Sequence, residues 1–201
     1  MTLFKSTVFL ITLFWASLSY GENTNSLAEI HYTLGNLHSD EENLDKAIVE
    51  YKKALELNPD FARAENDLGF VLYKKGDYKD ALVHYQRAIS LRPDYANCYN
   101  NIGVIHYHLK DYEQASSFYR QAIELRPDYA RAHFNLAACC FRQGRYLTAL
   151  QEYRKARKID RRYVEERADQ KRLETELKKA QKNDPDNDEL KKVRAFVQKK
   201  I

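Results

Sequence analysis

Large and small apolar positions recur along this chain every 34 residues, and inside each period they fall three and four apart. Leu34, Leu68, Ile102 and Leu136 each precede a small residue: Gly35, Gly69, Gly103 and Ala137. Two more small columns follow, Ala47, Ala81, Ala115, Ala149 and Ala54, Ala88, Ala122, Ala156. Between them stand Tyr51, Tyr85, Tyr119 and Tyr153, four residues after the first column and three before the second. Those spacings put alanine, tyrosine and alanine on one helical face, so a bulky ring meets the smallest residues of its surroundings. Pro59, Pro93 and Pro127 end the periods two residues after Leu57, Leu91 and Leu125. A proline pushes the preceding residue to extended backbone, which stops a helix there.

Each period therefore predicts two antiparallel helices and a short turn. Gly76 and Gly144 suit a left-handed turn residue, whereas Glu42 and Lys110 hold the same column and predict either strain or a turn of another shape. One such pair is too small to bury a core alone and must dock on its neighbours. The expected architecture is all-α, a right-handed superhelical solenoid of four helix-turn-helix repeats with a C-terminal capping helix. The repeats span 28–61, 62–95, 96–129 and 130–163.

Arg161 replaces the fourth proline, so the last repeat is expected to run on into the charged segment 164–183. There Leu173, Leu177 and Ala180 leave only a narrow apolar stripe, as a polar cap on an open stack would. Within 184–201, Leu190, Val193, Val197 and Ile201 share one face of a short basic amphipathic helix. It is expected to fold back on the stack, with a membrane surface or a partner as the alternative.

At the other end, Lys5 and an apolar run from Thr7 to Leu18 precede small Ser19 and Gly21. The run is shorter than the ~20 residues a membrane span requires. Residues 1–21 are read as a signal peptide cut near Gly21, or else as an N-terminal anchor, and 22–27 as a linker. The expected location is secreted or periplasmic, or membrane-tethered if the segment stays.

Charge adds a gradient. The net charge of +4 is mild, but residues 28–61 carry −5 and residues 62–163 carry +7. That gradient would steer an anionic ligand or favour head-to-tail self-contact. Basic and acidic residues are interleaved, which argues against nucleic acid. Cys98, Cys139 and Cys140 are expected to act as small buried hydrophobes, and the adjacent pair on a helix cannot bridge without distortion. His31, His38, His106 and His133 occupy aromatic packing columns. No nucleophile and base, phosphate loop or metal-ligand spacing can be picked out, so neither an enzyme nor a cofactor is expected.

The period and columns resemble the tetratricopeptide repeat, with its aromatic, Leu-Gly, Tyr, Ala, aromatic, Ala and Pro positions, over Ala28 to Tyr163. The chain departs from that pattern at His31, Glu65, Tyr99 and His133 in the first aromatic column, and at His38, Leu72, His106 and Cys140 in the tyrosine column. The resemblance implies that the first helix of each repeat lines a concave, peptide-binding side. The residues the packing columns leave there are Arg63, Asp67, Tyr73, Lys74, Asn101, Tyr107, Arg131, Asn135, Phe141 and Arg142.

Asn101 and Asn135 are similar to the asparagine ladder in the repeats of O-linked N-acetylglucosamine transferase, where side-chain amides hold a peptide backbone. An amide offers both donor and acceptor, which matches a peptide's N–H and C=O whatever its sequence. The carboxylate clamp of co-chaperones is matched only at Asn101 and Arg131; Asn66, Phe70 and Asn135 stand where it has lysine, asparagine and arginine. The expected function is an adapter that holds an extended, partly acidic protein segment. Two alternatives are self-assembly by end-to-end stacking and a membrane-surface role for the basic C-terminal helix. Replacing Asn101 and Asn135 by alanine is expected to leave stability nearly unchanged.

Overall fold

A computed structural model describes residues 24–167, 170–184 and 186–198. Every regular element among them is helical: α1 (24–40), α2 (Leu44–Leu57), α3 (Ala62–Lys75), α4 (Tyr78–Leu91), α5 (Ala96–His108), α6 (Tyr112–Leu125), α7 (Ala130–Arg142), α8 (Tyr146–Ile159), α9 (Arg161–Arg167), α10 (Gln170–Asn183) and α11 (Asp188–Gln198). The first eight helices form four consecutive helix-turn-helix pairs, in two compact units that divide between Pro93 and Asp94. Residues 1–23, and with them the signal or anchor segment, lie outside the described residues. Residues 24–27 of the predicted linker are already helical in α1, where Leu27 continues backward the apolar period of Ile30, Leu34 and Leu37.

Close approach explains the glycine column. The tyrosines of the first three repeats are almost wholly buried, and an added Cβ at Gly35, Gly69 or Gly103 would stand 2.6, 2.9 or 2.7 Å from the ring of Tyr51, Tyr85 or Tyr119. In the fourth repeat Ala137 takes that column and Tyr153 is only partly buried. A methyl group and a fully inserted ring do not fit together.

The turns resolve the choice left by the sequence. Glu42 and Lys110 adopt φ of 61° and 63°, beside 90° and 75° at Gly76 and Gly144, so all four repeats use one left-handed turn and two hold it with a side chain in a disfavoured region.

The fourth repeat stops where its predecessors do, contrary to the expectation drawn from Arg161. Asp160 leaves α8 at φ −142° and ψ 94°, close to Arg126 at −142° and 91°. Its carboxylate then accepts the Tyr163 N–H at 2.8 Å and so starts α9. The segment expected as a cap is helical in α9 and α10, on either side of residues 168 and 169, which lie outside the described residues. Val164 of α9 is fully buried, and α9 packs on α7 and α8 as a partial fifth first helix. Its Arg162 and Glu166 face solvent.

The basic C-terminal helix folds back. Leu190 and Val193 of α11 bury themselves against Phe141, Tyr146, Leu150 and Ala180, and Glu189 accepts the Leu147 N–H at 3.3 Å. Its apolar face is thereby used by its own chain. Val197 and Ile201 lie outside the described side chains.

A His–Glu pair joins the two helices of three repeats. His31 of α1 meets Glu50 of α2 at 2.6 Å, and His133 of α7 meets Glu152 of α8 at 2.6 Å. In the second repeat the partners are exchanged, Glu65 on α3 and His84 on α4, at 2.7 Å. The third repeat carries Tyr99 and Phe118 in those columns. The histidines expected to serve as packing residues are, at His31 and His133, hydrogen-bonded pins between the two helices of a repeat. Hydrogen bonds from Lys53 and then His31 hold the Glu50 carboxyl below its ordinary value. Burial pushes Glu152 the other way, but the bonds from His133 and Lys155 outweigh it, so its carboxyl is also lowered.

The cysteines are free and buried, and burial pushes the Cys139 thiol up to about 12.

Candidate functional site

The ten residues singled out by sequence divide between the two units: Arg63, Asp67, Tyr73 and Lys74 on α3, Asn101 and Tyr107 on α5, and Arg131, Asn135, Phe141 and Arg142 on α7. All sit on first helices. The fold engages most of them in contacts of its own.

In the first unit, Asp67 accepts from the Tyr32 hydroxyl and from Asn66 Nδ2, both at 2.7 Å. Burial raises its carboxyl above the usual range despite those bonds. Burial and the Asp67 bond together push the Tyr32 phenol up to about 12. Arg63 donates to Glu29 at 2.6 Å and lies over the rings of Tyr32 and Phe61. Tyr73 stacks on Tyr78, 5.8 Å between centroids. Lys74 pairs with Glu42 at 2.8 Å and stands 5.9 Å from the exposed Phe70 ring.

In the second unit, Asn135 Nδ2 donates to Asn100 Oδ1 at 2.9 Å, and Asn100 Nδ2 points to Asn101 Oδ1 at a long 3.4 Å. Asn100 is buried, so the two predicted ladder residues flank a third asparagine that belongs to the interior. Arg142 Nε donates to the Tyr107 hydroxyl at 3.3 Å. Phe141, expected as an exposed anchor, is partly buried under Leu190 and Val193. Arg131 is exposed, 5.9 Å from the Tyr163 ring, with no carboxylate in ion-pair distance among the described residues.

A register emerges that the single columns did not reveal. Tyr32 with Asp67 in one unit and Asn100 with Asn135 in the other join the same two columns, 35 residues apart, between first helices of adjacent repeats, with Tyr32 the donor in the first and Asn135 in the second. Arg142 to Tyr107 repeats that spacing. The signal was present in the column Tyr32, Asn66, Asn100, Phe134, directly beside the predicted ladder column Thr33, Asp67, Asn101, Asn135. Because Asn135 satisfies buried Asn100, alanine at 135 would strip a buried acceptor of its partner at a cost of about 1–3 kcal/mol. The expectation of nearly unchanged stability is revised accordingly.

Part of the acidic charge of the first repeat is paired inside the first unit. Glu29, Glu42, Asp45 and Asp60 pair with Arg63, Lys74, Lys75 and Arg87 of the next repeat. No helix among the described residues is long and apolar enough to cross a membrane, and no group of three His, Cys, Asp or Glu there could hold a metal ion.

Three tetratricopeptide-repeat family models match residues 35–76, 60–128 and 101–163. No curated protein matches the chain. Among solved structures, crystalline MamA is 24% identical with a TM-score of 0.62, covering 69% of this chain and 81% of that one. Pseudomonas aeruginosa PilF is 20% identical with a TM-score of 0.62, covering 84% and 82%. The first repeat domain of Spaghetti (RPAP3), solved with the HSP90 peptide SRMEEVD, is 20% identical with a TM-score of 0.57, covering 60% and 95%. At these identities the likeness is one of fold.

Proposed function

We propose that this chain, a member of the tetratricopeptide repeat family, is a non-enzymatic protein-interaction scaffold that holds an extended, partly acidic segment against its first helices. The observation that carries the reading is on α7. Arg131 is an exposed cation without a carboxylate partner among the described residues, and one helical turn on, the half-exposed Asn135 is oriented by its bond to Asn100. An amide already fixed by one hydrogen bond loses little freedom when a peptide takes the remaining positions, so ordering costs are small. A neighbouring guanidinium prefers a ligand carboxylate. That one structure of similar fold holds an acidic peptide is in keeping with this. Asn66 and Phe70 replace two clamp residues, so selection of a terminal carboxylate forms no part of the proposal.

Site action outside the cytoplasm is part of the proposal and rests on the sequence of residues 1–21 alone. The test of binding is selection from a random displayed peptide library with the full chain. Wild type should enrich extended peptides containing Asp or Glu, and Arg131→Glu should lose them while its helix content and unfolding midpoint stay unchanged. Absence of enrichment, or the same acidic peptides with Arg131→Glu, would refute it.

A further inference from the structure

Helix α1 carries an apolar stripe that its own repeat does not use. Leu27, Ile30, Leu34 and Leu37 follow one another at intervals of three, four and three, and are 39–53% exposed. The opposite side of the helix does the packing: Ala28 and Tyr32 pack with Ala54, Phe61 and Ala64, while Gly35 lies against Tyr51.

The same columns in later repeats define what the stripe is built for. Ile30 corresponds to Ala64, Cys98 and Ala132, Leu34 to Leu68, Ile102 and Leu136, and Leu37 to Val71, Ile105 and Cys139, all buried. In the fourth repeat Leu136 and Cys139 cluster with Ala115 and Tyr119 of α6, the helix before them. On α1 this helix-docking face has no helix upon it among the described residues. Its side chains are also larger than the alanines and cysteine of the Ile30 column. An end repeat that ends a stack is expected to turn a polar face outward. α9 does so through Arg162 and Glu166; α1 does not.

We propose that this stripe pairs with the same stripe of a second copy, two α1 helices meeting antiparallel about a two-fold axis. Four residues at three-four-three spacing form a seam that is its own complement: Leu27 meets Leu37, and Ile30 meets Leu34. Charge selects the direction. Parallel pairing would bring the Asp40 and Glu41 ends of both copies together, whereas antiparallel pairing sets Asp40 beside uncharged Thr24. Head-to-tail stacking is disfavoured, because α9 presents charged residues outward and the acidic residues Glu29, Glu42, Asp45 and Asp60 already have cations of their own.

The test is the mass of the full chain by light scattering across concentration, at low and high salt. A dimer that forms with rising concentration and survives high salt is expected, and Ile30→Glu and Leu34→Lys should each raise its dissociation constant at least tenfold while keeping wild-type helix content. Mixing the two variants should restore dimers, since antiparallel pairing puts position 30 of one copy against position 34 of the other; parallel pairing would not. Leu27→Lys, in the first described turn of α1, provides a second disruption with little demand on folding. A monomer at all concentrations, whether residues 1–23 or another protein covers the stripe, would overturn the proposal. So would association that salt dissolves or that survives these substitutions.

Discussion

Replacing Gly103 by alanine tests the packing on which every repeat depends. The new methyl would lie 2.7 and 2.8 Å from two ring carbons of Tyr119 and 3.2 Å from the Ala115 carbonyl oxygen. The ring is nearly fully buried and has no solvent side to retreat into. Overpacking of this kind costs roughly 1–3 kcal/mol. Alanine in a helix interior returns about 0.5–1 kcal/mol relative to glycine. The net expectation is a loss of about 1–2 kcal/mol, read as a lower urea midpoint by circular dichroism. Truncating the ring should reverse the sign: with Tyr119→Leu in place, Gly103→Ala should become neutral or stabilising, and the double-mutant cycle should show coupling above about 1 kcal/mol. Higher stability of Gly103→Ala in the wild-type background would refute the reasoning, because it would mean that helix propensity outweighs the contact.

Three further outcomes follow from the geometry. Lys110→Gly removes a side chain from a left-handed turn, φ 63°, and should stabilise by a few tenths to about 1 kcal/mol, the relief of strain exceeding the added freedom of the unfolded chain; a lower unfolding midpoint would contradict it. Exchanging His133 and Glu152 recreates the order found in Glu65 and His84 and should stay within about 1 kcal/mol of wild type, whereas His133→Ala alone, leaving Glu152 partly unpaired, should cost about 1–3 kcal/mol; equal stabilities would dismiss the pin. Glu50 and Glu152 have lowered carboxyls when folded, so their contribution is complete above the ordinary glutamate value of 4.5 and disappears as the pH falls through the folded values. Glu50→Gln and Glu152→Gln should flatten that acid loss in a pH series of unfolding midpoints, and an unaltered acid limb would count against the assignment.

Composition of columns was enough to determine the repeats and their small-to-large packing, because each repeat is local: a helix face is set by residues three and four apart, and the same answer recurs in each period. It also determined that helices stop after Leu57, Leu91 and Leu125. What Arg161 would do was decided by Asp160, whose carboxylate can start a helix only once the backbone has turned toward it. The state of Glu42 and Lys110 was likewise decided by the helix pair, whose packing imposes one turn whatever residue occupies it. Column by column, His31 and His133 looked like substitutes for aromatic residues; their role depends on Glu50 and Glu152, 19 residues away on another helix. The candidate site was legible only as a set of first-helix residues. Which of them remain available is a matter of contacts between elements distant in sequence: Asn135 is held by Asn100, Asp67 by Tyr32, and Phe141 is covered by α11, while Arg131 is left to solvent. Periodicity reports which way a side chain faces along its own helix, and only tertiary contact decides what has already taken the space in front of it.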